Sequence, residues 1–291
     1  HQYGRSKINV NPNSMRLYST KNPTHFTDLK TAVFKGLPDD NGLYMPEHIP
    51  QLPQDFIEHL SDYSLPEIAF EITKHLFQGA IPDADLKSIV EKAVNFPAPV
   101  VKLDENTFIL ELTHGPSLAF KDFGARFMAQ LMSYFNTKEE KELVILVATS
   151  GDTGGAVAYG FHNTPGIKVV ILYPSGKVSM LQEKQLTTLG GNVTALEIDG
   201  TFDDCQALVK QAFLDITLTD AIRLSSANSI NIARLIPQTF YYFEAYKQLQ
   251  NKDNVVFCVP SGNFGNLTAG LFAQKMGLPI KHFIAATNAN D

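Results

Sequence analysis

The sequence predicts an α/β protein in which parallel sheets carry flanking helices, preceded by a mostly helical N-terminal region. Three observations support this. After Pro97 and Pro99, short apolar strands alternate repeatedly with longer amphipathic helices, the pattern of parallel sheets covered on both faces. Before them, the chain is rich in Pro, Asp and short amphipathic pieces. With 291 residues, 44% of them hydrophobic, the chain can bury a large core and is long enough for two domains.

Taken in order, HQYGRSKINVNPNS (residues 1–14) is polar, patternless and ahead of Met15, and reads as an appended leader. Residues 15 to about 95 include LPEIAFEITKHLF, where Ile68, Ala69, Ile72, Leu76 and Phe77 form a helical stripe. FILEL (108–112) opens the alternation. Strands are expected at Leu143–Ala148, Lys168–Tyr173, Val193–Ile198, Asn254–Val259 and His282–Ala286. Helices are expected over 120–135, 154–162, 178–189, 203–214, 230–249 and 267–276. The chain stops at HFIAATNAND, an apolar stretch that has barely entered its loop, so a C-terminal part is expected to be missing.

Composition removes several function classes. A net charge of −6 without a run of basic residues argues against nucleic acid. Cys205 and Cys258 have neither CxxC spacing nor a nearby His pair, which disfavours disulfides and zinc and suits a reducing cytoplasm; no metal site is expected. Apolar runs such as Leu143–Ala148 fall short of the roughly 20 residues of a bilayer span. No membrane segment or secretory signal is expected.

In parallel α/β sheets, ligands sit at the carboxyl ends of the strands, so the loops there carry the chemistry. TSGDTGG (Thr149–Gly155) places small residues and hydroxyls at a helix N-terminus, where free N–H groups and the helix dipole favour an anion. The same loop also reads as a simple cap by Asp152 or Thr153. PSGNFGN (Pro260–Asn266) has glycines at 262 and 265 that permit an anion-binding nest, or a tight turn that binds nothing. Neither matches a dinucleotide fingerprint or a nucleotide P-loop. In YPSGKVSMLQEKQ, Lys177 and Lys184 read as solvated surface lysines. In SANSINIARLIPQTFYYF, Asn228, Asn231 and Arg234 are three apart and are expected to share a helix face opposite Ile230, Leu235 and Phe240. Such an arginine suits a phosphate or a tie between two domains.

HGPSLAFKDFGARFM places Lys121 at a helix start among Phe120, Phe123 and Phe127. The dipole and desolvation both disfavour a cation there. A neutral amine is what a Schiff base to an aldehyde cofactor requires, while a snorkelling structural lysine is the alternative.

Together HGPSLAFKD, TSGDTG, SANSIN with RLIPQ, PSGNFGN and the entry segment LKTAVFKGLPDDNGLYMPE resemble threonine synthases of the bacterial and fungal type, in order, from about Met15 to the last residue. The resemblance implies a pyridoxal 5′-phosphate enzyme with the tryptophan-synthase-β-like fold (fold type II), its two α/β domains sandwiching the cofactor. It implies a cytoplasmic lyase of threonine biosynthesis that converts O-phospho-L-homoserine and water to L-threonine and phosphate by β,γ-replacement. Residues 96–142 then supply the strand and lysine helix of a large domain, 143–225 a small α/β domain, and 226–291 the incomplete remainder of the large domain.

By the same resemblance Lys121 is the Schiff-base lysine and later moves protons, while Gly262, Asn263, Phe264, Gly265 and Asn266 cradle the cofactor phosphate. Thr149, Ser150, Gly151, Asp152 and Thr153 form the loop that meets the substrate carboxylate, with Asp152 also approaching the cofactor's 3′ oxygen. Lys177, Ser229, Asn231 and Arg234 fall around the substrate phosphate. Two departures stand out: relatives commonly carry an acid where Asn266 stands, and the superfamily commonly has Asn where Asp152 stands. The group that meets the pyridine nitrogen lies in the part expected to be missing. Partners are a small-molecule substrate and, at most, a second copy of the chain as a homodimer. A serine/threonine dehydratase-like lyase and a catalytically silent binding protein are the other two readings.

Overall fold

The computed structural model describes residues 14–137 and 142–289. The predicted leader therefore lies outside the described residues except for Ser14.

The N-terminal region begins with β1 (Arg16–Ser19) and β2 (Asn22–Asp28), an antiparallel pair joined on the other side of β1 by β3 (Tyr44–Pro46). Between them α1 (Leu29–Lys35) starts on Asp28, whose side chain accepts from Thr31 N. Then follow α2 (Gln54–Glu58), α3 (Leu65–Phe77) and α4 (Asp83–Ala93). The expected stripe on α3 is buried at all five positions. The three-stranded sheet is an addition to the helical region the sequence predicts. Its longest strand, NPTHFTD, is almost wholly exposed and has no apolar alternation to betray it.

A short hairpin of β4 (Val100–Lys102) and β5 (Phe108–Leu110) leads to α5 (Lys121–Asn136). The alternation then runs through β6 (Leu143–Ala148), α6 (Asp152–Phe161), β7 (Ile167–Pro174), α7 (Met180–Thr187) and β8 (Val193–Ile198). It continues through α8 (Phe202–Leu214), α9 (Ile216–Ala221) and β9 (Arg223–Ser225). These strands form one parallel sheet in the order β8-β7-β6-β9.

The single helix expected over 230–249 is divided into α10 (Ile232–Leu235), a 3-10 turn (Ile236–Thr239) and α11 (Phe240–Gln248). Pro237 lies in the turn; it lacks an N–H to bond the preceding turn, and its ring crowds the carbonyl four residues back. The helix also starts late because Asn231 caps it, its side chain accepting from Ala233 N at 2.9 Å. Asn228 therefore precedes the helix, and the predicted face shared by Asn228, Asn231 and Arg234 does not form. Finally β10 (Val256–Pro260), α12 (Gly265–Lys275) and β11 (His282–Ala286) make a parallel pair with its crossover helix.

α5 is the axis of the core. Phe123 and Phe127 are fully buried and meet Tyr241 and Phe240 edge-on at centroid distances of 5.2 and 5.6 Å. Two glycines bring its neighbours in. A Cβ on Gly160 of α6 would lie 2.9 Å from the Ala125 carbonyl carbon, and one on Gly124 would lie 3.0 Å from Arg234 O. These close approaches set α6 and α10 directly against α5.

Candidate active site

Lys121 is the first residue of α5, Asp152 the first of α6 and Gly265 the first of α12. The starts of α5 and α12 open on one cavity of about 290 Å³. Helix starts leave N–H groups without intrahelical partners and carry partial positive charge. A hollow of about 190 Å³ between α3 and α4, walled by Glu67, Glu71 and Glu91, contains none of the predicted residues.

Lys121 is 28% exposed, and its Nζ lies 3.9 Å from Asp152 Oδ2. Burial is the main cause that pulls its amine below the ordinary lysine value; Asp152 opposes the shift and the Arg234 cation adds to it. Burial thus acts on the amine in the direction the sequence suggests, with a neighbouring guanidinium as an extra cause that the sequence pattern concealed. Its presentation depends on the turn before it. Asp122, fully buried, accepts from Ser117 N at 2.9 Å and Ser117 Oγ at 2.6 Å, closing the HGPS turn onto the helix start.

Arg234 is 3% exposed. Its Nη1 donates to Ala227 O at 2.9 Å, while its Nε is buried without a partner. Among the described residues no carboxylate lies within ion-pair distance of it. Burial lowers its pKa to about 10. A guanidinium this desolvated and this incompletely bonded is costly unless an anion meets it. It is not a tie between regions: its bond stays within its own segment. Asn231 makes that tie, donating from Nδ2 to Val33 O at 2.8 Å, together with Ser225 Oγ, which donates to Phe34 O at 2.7 Å.

Of the predicted residues, the cavity wall contains Lys121, Thr153, Ser229, Arg234, Asn263, Phe264, Gly265 and Asn266. Asp152 joins through Lys121. Thr149, Ser150, Gly151, Lys177, Asn231 and Gly262 do not line it. Thr149 instead shapes the loop, its Oγ1 accepting from Gly151 N at 3.0 Å and Gly154 N at 2.8 Å. The side chain of Asn266 accepts from Leu267 N at 2.9 Å.

Sequence reading missed Gln238, Thr268, Leu43 and Met45 as cavity residues. Gln238 lies four residues after Arg234 and bonds its carbonyl at 3.0 Å, so helical spacing was an available signal. Leu43 and Met45 arrive from the N-terminal sheet, and nothing local announces that.

An amine held toward its neutral form, a helix start for a phosphate and an aromatic wall at Phe120 and Phe264 suit a phosphorylated aldehyde. Residues 94–291 match the model of the family described as pyridoxal-phosphate dependent enzyme. The chain belongs to that family. Its fold is the family's α/β architecture, and the Lys121 amine and the start of α12 on one cavity are features that fit the cofactor. Residues 16–94 match a second model, described as threonine synthase N terminus.

The chain is 54% identical over 279 residues to threonine synthase of Haemophilus influenzae, covering 95% of this chain and 65% of the relative. It is similar to the crystal structure of threonine synthase from Escherichia coli at 49% identity and TM-score 0.86, over 95% of this chain and 65% of the other. It is also similar to the pyridoxal-phosphate-bound threonine synthase of Brucella melitensis, at 42% identity and TM-score 0.90, over 96% and 61%. The chain thus spans about 65% of the length of the curated relative it matches.

Proposed function

We propose that this pyridoxal-phosphate dependent chain has threonine synthase chemistry, converting O-phospho-L-homoserine and water to L-threonine and phosphate. The observation that carries the reading is Arg234: a buried guanidinium with an unpartnered Nε lines the same cavity as Lys121 and the start of α12. One cavity therefore offers an amine and two separate places for an anion. That count suits a phosphorylated substrate beside a phosphorylated cofactor.

In this reading the loop Gly262–Asn266 and the start of α12 receive the cofactor phosphate, and Lys121 bonds the cofactor aldehyde. Bound pyridoxal phosphate supplies an electron sink for charge developing at the substrate Cα. Lys121 Nζ, once released, takes the Cα proton and later returns protons, so one amine serves as nucleophile and then as base and acid. The 149–153 loop, with Thr153 on the wall, receives the substrate carboxylate; Ser229 and Arg234 receive the ester phosphate. The cation at Arg234 stabilises phosphate as it leaves Cγ. Residues 143–225 act as the smaller domain that closes over this cavity and keeps water out until its turn. The working partner is the small-molecule substrate, with the chain acting alone or as a homodimer.

The test is to incubate the cofactor-loaded chain separately with O-phospho-L-homoserine and with L-threonine, and to assay phosphate, threonine and 2-oxobutyrate. Equal release of phosphate and threonine is the expected result. Release of 2-oxobutyrate without phosphate turnover identifies a dehydratase-like lyase and overturns the proposal; aldehyde capture without either product leaves a binding protein.

A further inference from the structure

Gln182, on the first turn of α7, joins three features with one side-chain amide. Its Oε1 accepts from Ser179 N at 3.2 Å and from Ser179 Oγ at 3.1 Å, which caps the helix. Its Nε2 donates to Asp152 Oδ1 at 2.8 Å. The orientation follows from the partners: a backbone N–H only donates and a carboxylate only accepts, so the amide has one consistent placement. Gly151 makes room for it. A Cβ there would lie 2.5 Å from Gln182 Nε2, and φ of +152° is closed to other residues in any case.

The other oxygen of the same carboxylate, Asp152 Oδ2, is the one 3.9 Å from Lys121 Nζ. That distance is long for a hydrogen-bonded ion pair, whose N⁺–H···O⁻ separation is about 2.7–2.9 Å. Resting on the reading of Lys121 as the amine that takes the aldehyde, we infer that Gln182 is a positioning residue. It holds Asp152 back from Lys121 so that the two do not close into a tight ion pair. A closed pair would bind the proton to the amine and remove the lone pair that attacks the aldehyde. The charged groups facing Lys121 are Asp152 from α6 and Arg234 from α10; the adjacent Asp122 is engaged by Ser117. With Gln182 gone, Asp152 is the only one of these set free to move.

The inference is tested by competitive labelling of the cofactor-free chain with acetic anhydride across a pH series. Peptide mass spectrometry follows Lys121, and far-UV circular dichroism checks the fold. Gln182→Leu is expected to move the Lys121 labelling midpoint upward by about half a unit or more. Asp152→Asn is expected to lower it, and Gln182→Leu added to Asp152→Asn to change nothing further. Ser179→Ala weakens the helix cap but leaves Gln182 on Asp152, so its midpoint is expected to match the parent chain. The inference is overturned by an unmoved midpoint in a folded Gln182→Leu chain, by a shift that persists in the Asp152→Asn background, or by an equal shift from Ser179→Ala. If Gln182→Leu does not fold, Gln182→Asn, too short to reach Asp152 from the same backbone, is read by the same criteria. No cofactor or substrate enters the measurement, so its failure leaves the threonine synthase proposal standing, and the assay of that proposal leaves this one standing.

Discussion

Ser117 Oγ donates a 2.6 Å hydrogen bond to Asp122 Oδ1 across the turn that delivers Lys121. Both side chains are buried, so the bond has no water to replace it. Asp122→Asn keeps one acceptor oxygen for the Ser117 N–H, but its NH2 makes the Ser117 hydroxyl turn from donor to acceptor, and a loss of about 1 kcal/mol is expected. Urea unfolding of the two chains measures it.

The same pair gives a pH dependence with a defined sign. Burial pushes the Asp122 carboxyl above its ordinary 3.8, with the Ser117 bonds pulling the other way. The folded chain therefore holds this proton at pH values where the unfolded chain has lost it. Stability from this group is fully present below pH 3.8 and is lost as pH rises through the folded value. Exposed acids such as Asp40 and Asp204 are shifted down and act oppositely, so the total curve mixes signs. The difference between parent and Asp122→Asn is expected to fall with rising pH above 3.8, measured by urea midpoints at fixed ionic strength.

Arg234 is expected to oppose stability in the absence of ligand. Arg234→Met keeps volume and removes a desolvated charge, at the loss of one bond to Ala227 O. The ligand-free melting temperature is expected to hold or rise, the change lying within about 1 kcal/mol of zero or on the stabilising side. Inorganic phosphate is expected to raise the melting temperature of the parent and to have less effect on the variant. Scanning calorimetry with and without phosphate reads both halves.

Gly124→Ala tests the contact between α5 and α10. The added Cβ would lie 3.0 Å from Arg234 O, a backbone atom that moves only with its helix. A loss of about 1–2 kcal/mol is expected, with weaker pyridoxal phosphate retention as Lys121 and Arg234 part. Thermal melts and equilibrium dialysis of the cofactor separate the two effects.

Lys121→Arg is expected to abolish borohydride trapping of pyridoxal phosphate, since a guanidinium has no free lone pair at these pH values. In the parent, trapping is expected to rise with pH through a midpoint below 10.5, because burial and Arg234 outweigh Asp152. Peptide mapping of the reduced product at each pH checks the site and the midpoint together.

The parallel sheet was legible where a strand is a continuous apolar run: LVILVA forms β6 at its expected limits, Leu143–Ala148. Lys121 and residues 263–266 stood out for a different reason, since a cation beside aromatics and paired glycines are locally conspicuous, and the structure brings them to one cavity. The N-terminal sheet was not, because its strands are short and β2 is mostly exposed. Asn231 illustrates the harder limit. Its type and spacing suit a ligand, yet both ends of its amide serve the backbone, one of them at Val33. Such an assignment depends on a partner far away in the chain, and no window of sequence contains it.

That bond has a kinetic meaning. Val33 and Asn231 stand 198 positions apart, and Ser225 reaches Phe34 across 191. Helices α3, α5 and α8 can form from neighbouring residues, but the wall that contains Arg234 is held in place by the closure of these two long loops. In refolding, the power to trap pyridoxal phosphate should therefore return after the helical signal. The cavity works as a clock for the last stage of assembly.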